Sequence, residues 1–152
     1  MENKKTTSLQ LRNQLCFPLY AASREVIKLY KPYLDSLDLT YTQYIAMSLL
    51  WEHKTLTVKE MGDPLFLDSG TLTPLLKKLE NKGYITRTRS TKDERNLNVT
   101  ITPEGMALYD KAVQNCTLSA ADNPLTVEET LTLYRLLYKM LGQEDIPLPD
   151  WA

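Results

Sequence analysis

The chain has 152 residues, 43% hydrophobic and 24% charged, with a net charge of −1. That is the composition of one domain large enough for a core of its own, and it excludes a disordered or fibrous chain. Two cysteines do not make a disulfide scaffold, and a single histidine, His53, leaves no His/Cys zinc cluster and no histidine-based nucleophile triad. The five glycines are scattered and form neither a P-loop nor a dinucleotide-binding pattern, so no cofactor and no metal are expected and the chain does not read as an enzyme. No apolar run approaches the roughly 20 residues that cross a bilayer. Residues 1–10 carry lysines with no apolar segment behind them, so no signal peptide is expected and the expected compartment is the cytoplasm.

Residues 9–37 read as helical, with Leu15, Leu19, Ala22, Val26, Leu29, Tyr33 and Leu37 tracing an apolar stripe. Pro18 either kinks this helix or occupies its first position, and Pro32 is expected to open a second short turn. After a break at Asp38-Leu39-Thr40, Thr42 is the expected cap of a helix running to His53. That helix is apolar on most sides and is therefore placed at the centre. Leu56 begins a short strand. Thr57-Val58-Lys59-Glu60 is a capping box opening a short helix that ends near Gly62-Asp63-Pro64.

Residues 68–102 are the most informative stretch. Asp68 caps a helix in which Leu72, Leu75, Leu76 and Leu79 form the buried face, while Ser69, Thr71, Thr73, Lys77 and Lys78 form the opposite one. Gly83 is placed to end it in the left-handed conformation. Residues 84–88 and 97–101 alternate as paired strands around a charged tip, residues 89–96. From Lys77 to Arg95 there are seven Lys/Arg against three Asp/Glu, a balance of +4, so the rest of a chain with net charge −1 sums to −5. A helix bearing hydroxyls and lysines fits a major groove, and a charged hairpin beside it can place a guanidinium in the minor groove. Residues 40–102 thus read as a winged helix-turn-helix.

Thr102-Pro103-Glu104-Gly105 caps a further helix that continues towards Cys116, residues 119–124 read as a linker, and Thr126-Val127-Glu128-Glu129 is a second capping box. The last helix carries Leu131, Tyr134, Leu137, Tyr138 and Leu141 on one face. The expected fold is mainly α (α+β): one domain over residues 1–152, its winged helix-turn-helix flanked by long helices in 8–38 and 103–142. Those flanking helices have little core of their own and are expected to pack on a second copy. A two-fold homodimer presents two recognition helices to a pseudo-palindromic site on double-stranded DNA, with half-sites about one helical turn apart.

Five segments together resemble the MarR family of bacterial regulators, and within it the organic hydroperoxide resistance regulators. They are Gln14-Leu15-Cys16-Phe17, Lys31-Pro32-Tyr33-Leu34-Asp35, Leu39-Thr40-Tyr41-Thr42-Gln43-Tyr44, the run from Leu67 to Pro74, and Asp93-Glu94-Arg95. The resemblance implies a repressor that binds its operator when reduced and releases it when organic hydroperoxide oxidises Cys16. It implies that Tyr30 and Tyr41 hydrogen-bond the Cys16 sulfur from the other subunit. It implies too that Cys116 resolves the oxidised thiol as an intersubunit disulfide, as in the two-cysteine branch, whereas in the one-cysteine branch a small thiol does so. In a continuous helix Cys16 and Tyr30, 14 residues apart, are separated by about 21 Å, which agrees with a partner-subunit contact. An apolar pocket of Phe17, Leu19, Tyr20 and Tyr44 would favour organic peroxides.

For DNA, Ser69, Thr71 and Thr73 are expected in the groove and Lys77 and Lys78 at phosphates. By the resemblance Arg95 enters the minor groove and Asp93 holds it or the wing in shape. Arg87 and Arg89 are further candidates for phosphate contacts. Two other readings remain open: a regulator of the same fold released by a small aromatic ligand, and a thiol peroxidase, which would have no use for a basic wing.

Overall fold

A computed structural model describes residues 9–89, 96–115, 123–143 and 145–151. It divides into two compact units, Met1–Thr117 and Leu118–Ala152. In the first, a 3-10 turn (Leu11–Asn13) precedes α1 (Cys16–Ser36). The long helix therefore starts at Cys16 rather than Leu9, because Gln14 is extended and its side-chain amide donates to Leu9 O at 3.0 Å. Pro18 is the third residue of α1, not its first. Backbone N–H groups in a first turn have no intrahelical acceptor, so its missing donor removes nothing. The turn expected at Pro32 does not form. The chain stays helical through it to Ser36, losing one i→i−4 bond at a cost of about 3 kcal/mol, while Lys31 and Asp35 pair across the same turn at 2.8 Å.

Helix α2 (Tyr41–His53) is capped by Thr40, not Thr42. Thr40 is extended (φ −79°, ψ 163°), its hydroxyl accepts from Gln43 N, and the Gln43 side chain accepts from Thr40 N. Thr42 lies inside the first turn, where its hydroxyl can only contact that of Thr40 at 3.2 Å. As expected of a central helix, Ala46, Met47 and Leu50 are wholly buried.

Strand β1 (Thr55–Thr57) leads into α3 (Val58–Leu65) through the predicted box: Glu60 accepts from Thr57 N at 2.7 Å and Thr57 Oγ1 accepts from Glu60 N. The helix passes Gly62 and Pro64 and ends at Phe66, in a left-handed conformation with φ 53°. Then follow α4 (Ser69–Asn81), β2 (Ile85–Arg89), β3 (Leu97–Ile101) and α5 (Pro103–Asn115). The sheet is antiparallel in the order β1-β3-β2, with Thr55 opposite Thr100 and Ile85 opposite Ile101. Leu72, Leu76 and Leu79 of α4 pack with Met47, Leu50, Met61, Ile85 and Val99 in one core, and Leu37 and Leu39 enter it from either side of the α1–α2 turn. Of the 21 residues of α1, only Leu34 is buried; Phe17, Leu19, Val26, Ile27 and Leu29 are exposed, as is Leu15 just before the helix.

The second unit contains α6 (Val127–Met140), opened by the predicted Thr126–Glu129 box. Tyr134 lies 4.7 Å from Tyr138 and 6.3 Å from Trp151, ring centre to ring centre. Burial and the Tyr138 hydroxyl push the Tyr134 phenol upward from its ordinary value.

Candidate nucleic-acid interface and thiol site

The helix-turn-helix consists of α3 and α4. Asp68 Oδ1 accepts from Thr71 N at 2.7 Å, fixing the start of α4. Because Leu72, Leu75, Leu76 and Leu79 take the helix to the core, Ser69, Thr71, Thr73, Lys77 and Lys78 are all exposed. Thr73 Oγ1 donates to Ser69 O at 2.7 Å, which presents its oxygen outward as an acceptor. Lys82 closes the helix, and Gly83 follows with φ 78°, a conformation that costs glycine little.

The wing extends from β2 and β3. Arg89, at the end of β2, is exposed. Arg87 turns back instead: its Nε and a terminal nitrogen donate to Glu80 Oε2 at 3.0 and 2.7 Å, and its backbone N–H donates to Glu80 Oε1. This ion pair braces the wing against α4, at the expense of the guanidinium's reach towards a phosphate. Asp93 and Arg95, the wing-tip residues, lie outside the described residues.

The Arg87 hydrogen bond holds the Glu80 carboxyl below its ordinary value of 4.5. A carboxylate with a depressed folded-state value contributes stability that is fully present above the unfolded value and is lost as pH falls through the folded one. Thermal unfolding of wild type and Glu80→Gln is therefore expected to differ at neutral pH and to converge as the pH falls below about 4.5. A gap of constant size down to acid pH would deny the carboxylate this role.

Cys16 is the first residue of α1. It is exposed, and its Sγ lies 3.7 Å from Gln14 Oε1. Because α1 is uninterrupted, Tyr30 of the same chain stands about 21 Å further along its axis. Tyr30 instead meets Tyr41 at 5.6 Å and Tyr44 at 6.2 Å, so the two tyrosines singled out in the sequence are brought together at the junction of α1 and α2. The pocket expected from Phe17, Leu19, Tyr20 and Tyr44 is not assembled within one chain: the first three are exposed at the start of α1, while Tyr44 belongs to the tyrosine cluster. Cys116 lies outside the described residues.

Sequence reasoning missed what continues from Tyr44. Trp51 packs edge-on against it at 6.0 Å and against Tyr109 at 5.8 Å, and donates from Nε1 to Gly105 O at 2.9 Å. These rings line a cleft of about 660 Å³ between α2 and α5, with Ser48, Glu52, Lys54 and Met106 at its edges. The i, i+7 spacing of Tyr44 and Trp51 was the available signal; Tyr109 had none, because its element is distant in sequence. Among the described residues no acidic, histidine or cysteine cluster could hold a metal, and no helix is long and apolar enough to cross a membrane.

The family model for the transcriptional regulators SarA/Rot matches residues 28–112. The organic hydroperoxide resistance transcriptional regulator of Bacillus subtilis is 59% identical over 113 residues, 74% of this chain and 76% of that protein. Among solved structures, overoxidized AbfR bound to DNA superposes with a TM-score of 0.75 at 33% identity, covering 91% of this chain and 97% of that one. Disulfide-formed AbfR gives 0.62 at 31% identity, covering 93% and 99%. AbfR is a protein of Staphylococcus epidermidis.

Proposed function

We propose, since this chain belongs to the organic hydroperoxide resistance regulators of the MarR family, that it is a homodimeric, cytoplasmic repressor that binds a pseudo-palindromic operator when reduced and releases it when Cys16 is oxidised. It regulates transcription and is not an enzyme. The observation that carries the reading is the exposed thiol at the first residue of a helix whose apolar face is left uncovered in one chain. A second copy covering that face places the thiol at the interface that sets the spacing of the recognition helices. The same cover would bring Tyr30 and Tyr41 of the second copy to the sulfur and complete the apolar pocket around it.

The chemistry is that of a thiolate at the positive end of a helix. The sulfur attacks the O–O bond of an organic hydroperoxide; an S–O bond forms, the O–O bond breaks, and the released alkoxide takes a proton and leaves as the alcohol. Sulfur is oxidised by two electrons and the peroxide reduced by two. The Cys116 thiol of the second copy then attacks the sulfenic sulfur, giving a disulfide and water. Ser69, Thr71 and Thr73 occupy the major groove, Lys77, Lys78 and Arg89 meet phosphates, and Arg95, steadied by Asp93, enters the minor groove. Arg87 serves this surface by bracing the wing.

A gel-shift on a pseudo-palindromic operator, run beside non-reducing electrophoresis, tests the reading. Reduced protein is expected to bind. Protein treated with cumene hydroperoxide is expected to release the operator and run as a dimer-sized band that reductant reverses. Release without that band assigns resolution to a small thiol, and unchanged binding removes peroxide sensing.

The cleft beside Trp51 favours one second reading, release by a small aromatic ligand, because its volume falls within the roughly 300–1,000 Å³ of ligand pockets. A Cys16→Ser protein that leaves the operator on addition of a phenolic carboxylate would establish it.

A further inference from the structure

The turn between α1 and α2 is held by a residue of another element. Leu37 and Leu39 flank it, 2% and 6% exposed, both within the core that α4 helps to build. Between them Asp38 has φ 53°, a left-handed conformation disfavoured for a residue with a Cβ. Lys82, at the C-terminus of α4, reaches across to this turn. Its Nζ donates to the Asp38 carbonyl oxygen and also to Asp38 Oδ2 at 2.8 Å. The lysine side chain is 28% exposed and the aspartate side chain 80%.

As an ion pair alone this contact would be worth little, since one partner is solvated. The carbonyl contact makes it different: the same ammonium group grips the main chain of the turn. Asp38 is the single exposed residue between two buried leucines, so the turn is the hinge at which α1, otherwise almost without buried residues, joins the DNA-reading body. Rotation of α1 about this hinge pulls on Lys82, which is rigidly continuous with α4.

We infer that Lys82 is the coupling residue of the switch, transmitting displacement of the Cys16-bearing helix to the recognition helix through its grip on Asp38. The inference rests on the proposed redox function and adds the route by which the thiol reaches the DNA. It makes Lys82 a positioning residue, with no contact to thiol, peroxide or base required of it.

The test measures operator affinity of reduced and of cumene-hydroperoxide-treated protein for wild type, Lys82→Met, Lys82→Arg and Asp38→Asn, together with the rate of thiol loss. Wild type should show an oxidised-to-reduced Kd ratio within the roughly 5–150-fold range of allosteric coupling. In Lys82→Met that ratio is expected to fall towards one while the thiol is consumed at the wild-type rate. Lys82→Arg, which keeps charge and donors, is expected to restore most of it, and Asp38→Asn, which keeps the carbonyl contact, to lie between. A lower melting temperature with an unchanged ratio would reduce the contact to a structural one and overturn the inference. Should Lys82→Met bind too weakly to give a ratio, Lys82→Gln, whose shorter uncharged side chain cannot hold both Asp38 oxygens, decides, and a wild-type ratio there also overturns it. If wild type itself keeps its operator after oxidation, the redox function fails, a result distinguishable from failure of the coupling.

Discussion

A Cys16→Ser protein is expected to bind its operator with the affinity of the reduced wild type and to keep that affinity in excess cumene hydroperoxide. Serine differs from cysteine by one atom, and among the described residues the sulfur's polar neighbour is the Gln14 side chain, at 3.7 Å. In the proposed dimer a serine hydroxyl can accept the same Tyr30 and Tyr41 hydrogen bonds as the sulfur, and a near-isosteric change leaves the packing largely intact, so the recognition helices should be presented unchanged. The hydroxyl, by contrast, is not a nucleophile towards a peroxide O–O bond at neutral pH. The oxidised-to-reduced Kd ratio, about 5–150 for a coupled switch, should therefore collapse to one. Operator titrations before and after peroxide measure it directly. A Cys16→Ser protein that still releases DNA would move sensing to Cys116 or to a ligand.

Cys116→Ser separates the two halves of the chemistry. Oxidation at Cys16 needs no second thiol, so loss of the Cys16 thiol should persist while the interchain band disappears. The two variants together distinguish a thiol that senses from one that only locks the sensed state.

What could be read from the chain, and what could not, follows sequence distance. The recognition helix was legible because its signals are local: Asp68 as cap, four leucines at i, i+3, i+4, i+7, and Gly83 after its end all act within 16 residues of one another. The Thr57–Glu60 and Thr126–Glu129 boxes were legible for the same reason. Thr40 and Thr42 show the limit. Both precede an apolar run, and only the reciprocal bond with Gln43 decides between them. Pro32 misleads because a local rule gave way to a helix long enough to tolerate the loss of one hydrogen bond.

The site was legible only in part. Cys16 stood out by resemblance, but Arg87 counted as a cation available to DNA, and its capture by Glu80 depends on how the wing folds back on α4. The Lys82–Asp38 contact joins residues 44 apart in sequence, and no periodicity announces it. Gly105 is the sharpest case: it was placed only within a cap, and no local pattern shows how closely the Tyr84 backbone approaches it.

Gly105→Ala is expected to be among the most damaging single changes in the winged domain. The glycine lies where the start of α5 crosses the end of the wing. A Cβ placed there would stand 2.2 Å from the Tyr84 carbonyl oxygen and 2.9 Å from Ile101 Cγ1. The first obstacle is backbone and cannot rotate away, and the Tyr84 carbonyl already accepts from Thr102 N at 3.0 Å. Moving α5 outward instead would strain the 2.9 Å bond from Trp51 Nε1 to Gly105 O, which fixes the wall of the aromatic cleft. Overpacking of this kind costs roughly 3 kcal/mol, a fall in Tm of about 10 °C for a domain of this size. The gain of about 0.4–1 kcal/mol that alanine brings by restricting the unfolded chain offsets only part of it. Thermal unfolding of the variant measures the loss. A Tm within about 2 °C of wild type would mean that α5 and the wing slide past one another freely. In that case the Trp51–Gly105 hydrogen bond would not be what fixes the position of α5 against α2.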